Sequence, residues 1–263
     1  MNNSITLKDS RHGKMLFLSH DVYIGRSLEF YGEYSALETD LFAQLIRPGM
    51  TIVEVGANIG AHTVALGKMV GTGGRVIAFE PQRTIFQLLC ANLALNGLFN
   101  VQTLLAGAGR EEGTLIVPSL DYTAENNFGG VPLNLAGEGE QVPIAPLDAI
   151  GVSAVHFLKI DVEGMERDVL LGAREIIARD YPVLYVENDR KEKSPELLTL
   201  LDELGYNCWW HLPPLFNPDN FARESENIFP GIVSINLICL PKDANISMHG
   251  FRKITDPHDW FTE

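Results

Sequence analysis

The chain has 263 residues, 46% of them apolar, and a formal charge of −14 at pH 7. That length and apolar content suit a large α/β unit with a sizeable core and leave little room for extended disorder. The negative charge, with no basic patch to offset it, speaks against a nucleic-acid partner, because a phosphate backbone would be repelled.

In chain order, "KMLFLSHDVYIG" alternates enough to predict a short hairpin, and "SALETDLFAQLI" carries apolar positions at helical spacing until "RPGM" stops it. From residue 51 strands and helices alternate. "TIVEV" reads as a buried strand, 61–70 as a helix, "RVIAFE" as a strand, "TIFQLLCANLALNG" as a helix closed by Gly97, and "NVQTLL" as a third strand. Residues 107–145 break the pattern with Gly, Pro and Asn around short β pieces, "GTLIVP" and "EQVPIA". Regularity returns with the fourth strand "VHFLKID", a helix from about 165 to 179, the fifth strand "PVLYVEN" and the helix "SPELLTLLDELG". "YNCWW" and "SINLICLP" read as two more strands around a Pro/Asn-rich loop at 211–231.

Such alternation calls for a doubly wound, mostly parallel sheet with helices on both faces. It divides a single domain, 1–263, into an N-terminal β/α extension (1–48), a cofactor-binding half (49–110), a β insertion (107–145) and a substrate half (146–263). Cys90, Cys208 and Cys239 lack metal or redox spacing. No stretch has the makings of a secretion signal or a transmembrane helix, so a cytoplasmic setting is expected.

In a doubly wound sheet ligands sit beyond the carboxyl ends of the strands, by the first strand–turn–helix. "EVGANIG" (54–60) stands there. Gly56 permits a tight turn and Gly60 lets the next helix pack closely. A dinucleotide fingerprint would need glycine where Asn58 stands, and Glu54 would repel a diphosphate. S-Adenosylmethionine fits better: it is phosphate-free, its sulfonium is positive, and its amino group welcomes a carboxylate. Its own carboxylate can use the N–H groups at the helix start. The second strand ends in "FEP", where Glu80 can accept hydrogen bonds from the ribose hydroxyls, as the equivalent acid of nicotinamide enzymes also does. The candidate cofactor contacts are Glu54, Gly56, Ala57, Asn58, Gly60, Thr63, Glu80 and Pro81, with Asp161 from the fourth strand.

"EVGANIGAHT", "FEP" and above all "LKIDVEGMERDVLLGA" (158–173) resemble the FkbM family of S-adenosylmethionine-dependent methyltransferases, over about residues 30 to 240. The resemblance implies a class I, Rossmann-like methyltransferase fold with a seven-stranded sheet. It also implies O-methylation of a small-molecule or saccharide hydroxyl. A nicotinamide oxidoreductase and a non-catalytic binding module are the competing readings.

Asp161 could bind the methionine amino group, act as base, hold a metal, or cap the helix that follows. Lys159 shares its strand face and could orient a substrate oxygen or pair with a nearby acid. Glu163 and His211 are further candidates for catalysis, whereas His156 reads as structural. Asp161, Glu187 and Asn188 resemble the metal-binding set of catechol-type O-methyltransferases, which implies Mg²⁺ or Ca²⁺. Trp209, Trp210, Phe216 and Phe221 could stack on a sugar, form a patch for a homo-oligomer, or belong to a satellite core.

Overall fold

The computed structural model describes residues 4–131, 133, 138–244, 246 and 248–262. β1 (Ile5–Ser10) and β2 (Gly13–Leu18) form an antiparallel hairpin, and α1 (Ile24–Tyr31) and α2 (Ala36–Leu45) follow. The hairpin therefore begins upstream of the expected segment, whose second half turns into α1. β3 (Thr51–Val55), α3 (Ala61–Val70), β4 (Arg75–Phe79), α4 (Arg83–Leu95) and β5 (Val101–Leu104) make the regular first half. β6 (Gly107–Ala108), β7 (Gly113–Val117) and β8 (Glu140–Ala145) pair among themselves as a three-stranded sheet. The second half runs β9 (Phe157–Ile160), α5 (Glu166–Leu171), α6 (Arg174–Asp180), β10 (Val183–Glu187), α7 (Ser194–Glu203), β11 (Tyr206–His211), β12 (Asn236–Pro241) and β13 (Arg252–Lys253).

The main sheet has the order β13-β11-β12-β10-β9-β3-β4-β5. Neighbours from β10 through β5 are parallel, whereas β12 runs antiparallel to β10 and β11, and β13 antiparallel to β11. The expected seven strands are thus eight, in mixed orientation. The extra one is a two-residue edge strand, too short to carry an alternation a sequence could reveal.

The helix expected over 165–179 is two helices. A Cβ on Gly172 would lie 2.0 Å from the carbonyl oxygen of Gly109, so the insertion's backbone presses into the break between α5 and α6. Leu41 and Phe42 of α2 and Leu66 and Val70 of α3 pack on one face of the sheet, and Ile85 and Leu88 of α4 extend that layer. Val169, Ile176 and Leu197 from α5, α6 and α7 cover the other face. Cys208 and Cys239, distant in sequence, lie directly opposite each other across β11 and β12 as buried free thiols.

Side-chain alternation gives each face its own character. On the α2/α3 face, Ile52, Phe157 and Tyr185 are core residues at the amino side. One pleat further along the same strands stand Glu54, Lys159 and Glu187. The face turns from apolar to charged as it reaches the carboxyl edge, and that transition is the floor of the site.

Candidate active site

A cavity of about 450 Å³ opens over the carboxyl ends of β3, β4, β9 and β10. That is within the range of small-molecule sites. Tyr23, Ile24, Tyr34 and Glu38 of the N-terminal extension, Asn127, Gly129, Gly130, Val131 and Leu133 of the insertion, and 232–236 before β12 complete its walls. Asp21 pairs with Asn126 in an isolated bridge, stitching extension to insertion above the cavity.

The first strand–turn–helix is held by its own backbone. Gly56 has φ +84°, and a Cβ there would lie 1.8 Å from the carbonyl oxygen of Asp161, so only glycine lets the turn meet the end of β9. Asn58 adopts φ +50°, and its Oδ1 accepts from Ile59 N–H at 2.7 Å, the local bond that makes asparagine tolerable in that region. Asn58 N–H donates to Glu80 Oε2 at 2.9 Å, and Gln82 N–H donates to Glu80 Oε1 at 2.8 Å. Burial pushes the Glu80 carboxyl up to about 7 despite those two N–H groups. Each of its oxygens keeps a further lone pair for a ligand.

Glu54 is buried, and its Oε2 accepts from the Thr63 hydroxyl at 2.7 Å. Burial raises it to about 7, against the opposing pull of Lys159 and Thr63. Lys159 is also buried and donates to Asp161 Oδ2 at 2.9 Å. Burial alone would lower its pKa, but Asp161, Glu54 and Glu38 together hold it above the ordinary value. The salt-bridge reading of Lys159 is the one the geometry gives. It remains a fixed cation and cannot accept a proton.

A second group of acids lies along the cavity. Ligand oxygens of Glu163, Glu187 and Asp189 lie within 4.8 Å of one another. Burial, with Asp161 and Asp189 nearby, raises Glu163 to about 7, although Arg190 donates to its Oε2 at 2.7 Å. Burial and the surrounding acids, Asp161 foremost, hold Glu187 well above its ordinary value. Its buried Oε2 has no hydrogen-bond partner among the described residues.

Glu54, Gly56, Ala57, Asn58, Glu80, Pro81, Lys159, Asp161, Glu163 and Glu187 all line the cavity. Four expected residues do not. Gly60, at φ +87°, lies against Leu89 of α4, where a Cβ would come within 2.7 Å of that side chain. Thr63 serves Glu54 and reaches the cavity only through it. Asn188 follows Glu187 by one residue and so faces the other side of the sheet, where its amide donates to Ser194 Oγ at 2.8 Å. The expected metal set of Asp161, Glu187 and Asn188 is therefore not assembled; the acids that meet are Glu163, Glu187 and Asp189. His211 Nδ1 bonds the Tyr185 hydroxyl at 2.8 Å, and its ring lies against Phe251, away from the cavity lining.

The aromatic residues near His211 serve the core. Trp209 and Trp210 are buried, the latter edge-on to Trp260, and Phe216 packs against Tyr31. Phe221 alone is well exposed. His156 Nδ1 accepts from Thr51 N–H at 3.1 Å, a structural bond between strands.

Among the cavity residues that escape sequence reading are Glu38, His62 and Gln82. Glu38 would read with Ser35 as a helix cap by its S-x-x-E spacing. Instead the Ser35 hydroxyl donates to its carboxylate at 2.7 Å beneath the cavity. His62 is buried against Tyr34 and Phe42, and burial together with Lys159 lowers it to about 3, so its ring is neutral. Gln82 sits two residues beyond Glu80. The only signal for the last two is that they directly follow the glycine turn and "FEP".

The fold is one that methyltransferases use. Precorrin-6y C5,15-methyltransferase from Geobacter metallireducens superposes with a TM-score of 0.52 at 11% identity, over 79% of this chain and 87% of that one. Likeness at that identity is one of fold alone. Methyltransferase sdnD of Sordaria araneosa is 31% identical over 191 residues, 59% of this chain and 73% of that protein. Methyltransferase 1 of Beauveria bassiana is 29% identical over 143 residues, 46% of this chain and 57% of that protein. Residues 54–208 match the methyltransferase FkbM domain, and the chain belongs to that family.

Proposed function

We propose that the chain transfers a methyl group from S-adenosylmethionine to a hydroxyl of a small molecule or glycan. The observation that carries this reading is the pair Glu54 and Glu80, one on each side of the Gly56 turn, in a cavity lined by further acids and by one lysine already bonded to Asp161. A cationic ligand rich in hydrogen-bond donors suits that lining. A diphosphate does not, which disfavours the nicotinamide reading.

When bound, the sulfonium would supply an electrophilic methyl carbon for the acceptor oxygen, and its sulfur would keep the electron pair of the C–S bond that breaks. Glu54 and Asp161 would hold the amino group, and Glu80 the ribose. Glu163, raised to about 7, is the group best matched to take the hydroxyl proton near neutral pH. Lys159 would keep Asp161 in place and offset the charge of Glu54. Leu215, Ile232 and Val233, with Tyr23 and Tyr34, offer an apolar wall for the body of the acceptor.

Calorimetric titration with S-adenosylhomocysteine and with NADH tests the reading. Micromolar binding of the first and none of the second is expected, and the reverse would refute it. Labelled methyl donor with a panel of hydroxyl compounds then identifies the acceptor.

A second reading, a divalent cation such as Mg²⁺ or Ca²⁺ that lowers the acceptor's pKa, is favoured by the closeness of Glu163, Glu187 and Asp189. It requires that EDTA abolish turnover and Mg²⁺ restore it. A cytoplasmic setting without nucleic-acid partners accompanies either reading. Among the described residues no helix is long and apolar enough to cross a membrane.

A further inference from the structure

Residues 212–235 run from β11 to β12 without a helix or strand of their own. A loop of that length in a compact domain is commonly a binding element, and it needs contacts to hold it. Its two ends meet at an isolated bridge between Pro214 and Val233, and Leu215 N–H donates to the carbonyl oxygen of Ile232 at 3.0 Å. Leu215, Ile232 and Val233 line the cavity there, together with Tyr23, Ile24 and Tyr34 of the extension.

The outer part of the loop is latched to the extension by one buried carboxylate. Glu33, only 5% exposed, stands beside Tyr34 in the chain. Its Oε2 accepts from Phe221 N–H and from Arg11 Nε, both at 2.7 Å, and its Oε1 accepts from Asn217 Nδ2 at 2.9 Å. Arg11 also donates to the carbonyl oxygen of Asp219 at 2.6 Å. Two residues before Glu33, the Tyr31 hydroxyl accepts from Ile228 N–H at 2.8 Å and donates to the carbonyl oxygen of Glu226 at 2.9 Å. Bonds to a buried carboxylate are the strong kind, and losing them strands a charge. Glu33 does not itself line the cavity; it fixes the residues that do.

The wall so fixed is aliphatic and aromatic, whereas Glu54, Asp161 and Glu187 stand at the sheet edge. A sugar would leave several hydroxyls unpaired against Leu215, Ile232 and Val233, at a cost for each.

We propose that Glu33 is the positioning residue of an acceptor site for a hydroxyl carried on an apolar body. The proposal rests on the methyl-transfer reading of the cavity, which gives the acids to the cofactor and this wall to the acceptor. A wall held in place beforehand spares the acceptor the entropy of ordering it.

The test is calorimetric titration of the full chain, saturated with S-adenosylhomocysteine, with 2-naphthol and with methyl glucoside. The wild type should bind 2-naphthol the more tightly. Glu33→Met should weaken 2-naphthol about tenfold while S-adenosylhomocysteine stays within about twofold. Hydrogen exchange over 212–235 should quicken in the same variant. Glu33→Gln keeps one acceptor oxygen and should fall between wild type and Glu33→Met. If Glu33→Met fails to fold, Asn217→Ala breaks one of the three bonds from the loop side and should show the same split at smaller size. Equal 2-naphthol affinity in wild type and variant, or unchanged exchange over 212–235, would overturn the proposal. So would one common factor of weakening for both 2-naphthol and S-adenosylhomocysteine, which would assign Glu33 a general structural role. Tighter binding of methyl glucoside would overturn the apolar acceptor. A wild type that binds S-adenosylhomocysteine but not 2-naphthol would refute this proposal alone; one that binds neither would refute the cofactor reading, and this proposal with it.

Discussion

The ligand-free protein should lose stability as pH rises from 6.5 to 8.5. Glu54, Glu80 and Glu163 are each held at about 7, chiefly by burial, against an ordinary value of 4.5. In the unfolded chain these carboxyls are fully ionised above pH 6.5, whereas in the native state they still hold part of a proton. Stability falls with pH wherever the native state binds more protons, so the slope is negative. Across this window each group contributes a loss of roughly 1 kcal/mol. Glu187, raised further, adds in the same direction. The lower bound of the window matters, because His62, held near 3, pulls the other way up to the ordinary histidine value of 6.5. A combined loss of a few kcal/mol should lower the melting temperature by roughly 5–10 °C for a chain of this size. Thermal or urea denaturation at pH 6.5, 7.5 and 8.5 measures it. Glu54→Gln, a neutral isostere that can still accept from Thr63, should remove its own share of the slope. A flat or rising profile, or an unchanged slope in Glu54→Gln, would refute the reasoning.

Three other outcomes are expected. Gly56→Ala places a Cβ against Asp161 O at a φ that costs about 1–2 kcal/mol by itself, so S-adenosylhomocysteine binding in calorimetry should be lost together with several degrees of melting temperature. Lys159→Met leaves Asp161, Glu54 and Glu38 without their buried cation, and denaturation should report a loss of about 3–5 kcal/mol at neutral pH. His211→Gln should leave methyl transfer within about twofold, because the ring bonds Tyr185 rather than the cavity; a tenfold fall in kcat would contradict that placement.

Much of the fold is legible because parallel strands buried on both faces announce themselves as short, largely apolar runs. β3, β4, β9 and β10 lie where "TIVEV", "RVIAFE", "HFLKID" and "PVLYVEN" put them. The carboxyl-edge acids were legible for the same reason. What failed depended on direction and on distant contacts. Glu187 and Asn188 look like a pair in sequence, yet adjacent residues on a pleated strand point to opposite faces. The break at Gly172 is made by Gly109, more than sixty residues earlier. Glu38, His62 and Gln82 join the site through packing that no local spacing encodes.

The cavity has walls of two origins. Glu54, Glu80, Asp161 and Glu187 come from the stretch matched to the family, residues 54–208. Tyr23, Ile24 and Tyr34 before it, and Leu215, Ile232 and Val233 after it, come from outside that stretch. On the proposed reading, a chimaera that exchanges only those flanking segments for a relative's should change the choice of acceptor while Glu54, Glu80, Asp161 and Glu187 stay native.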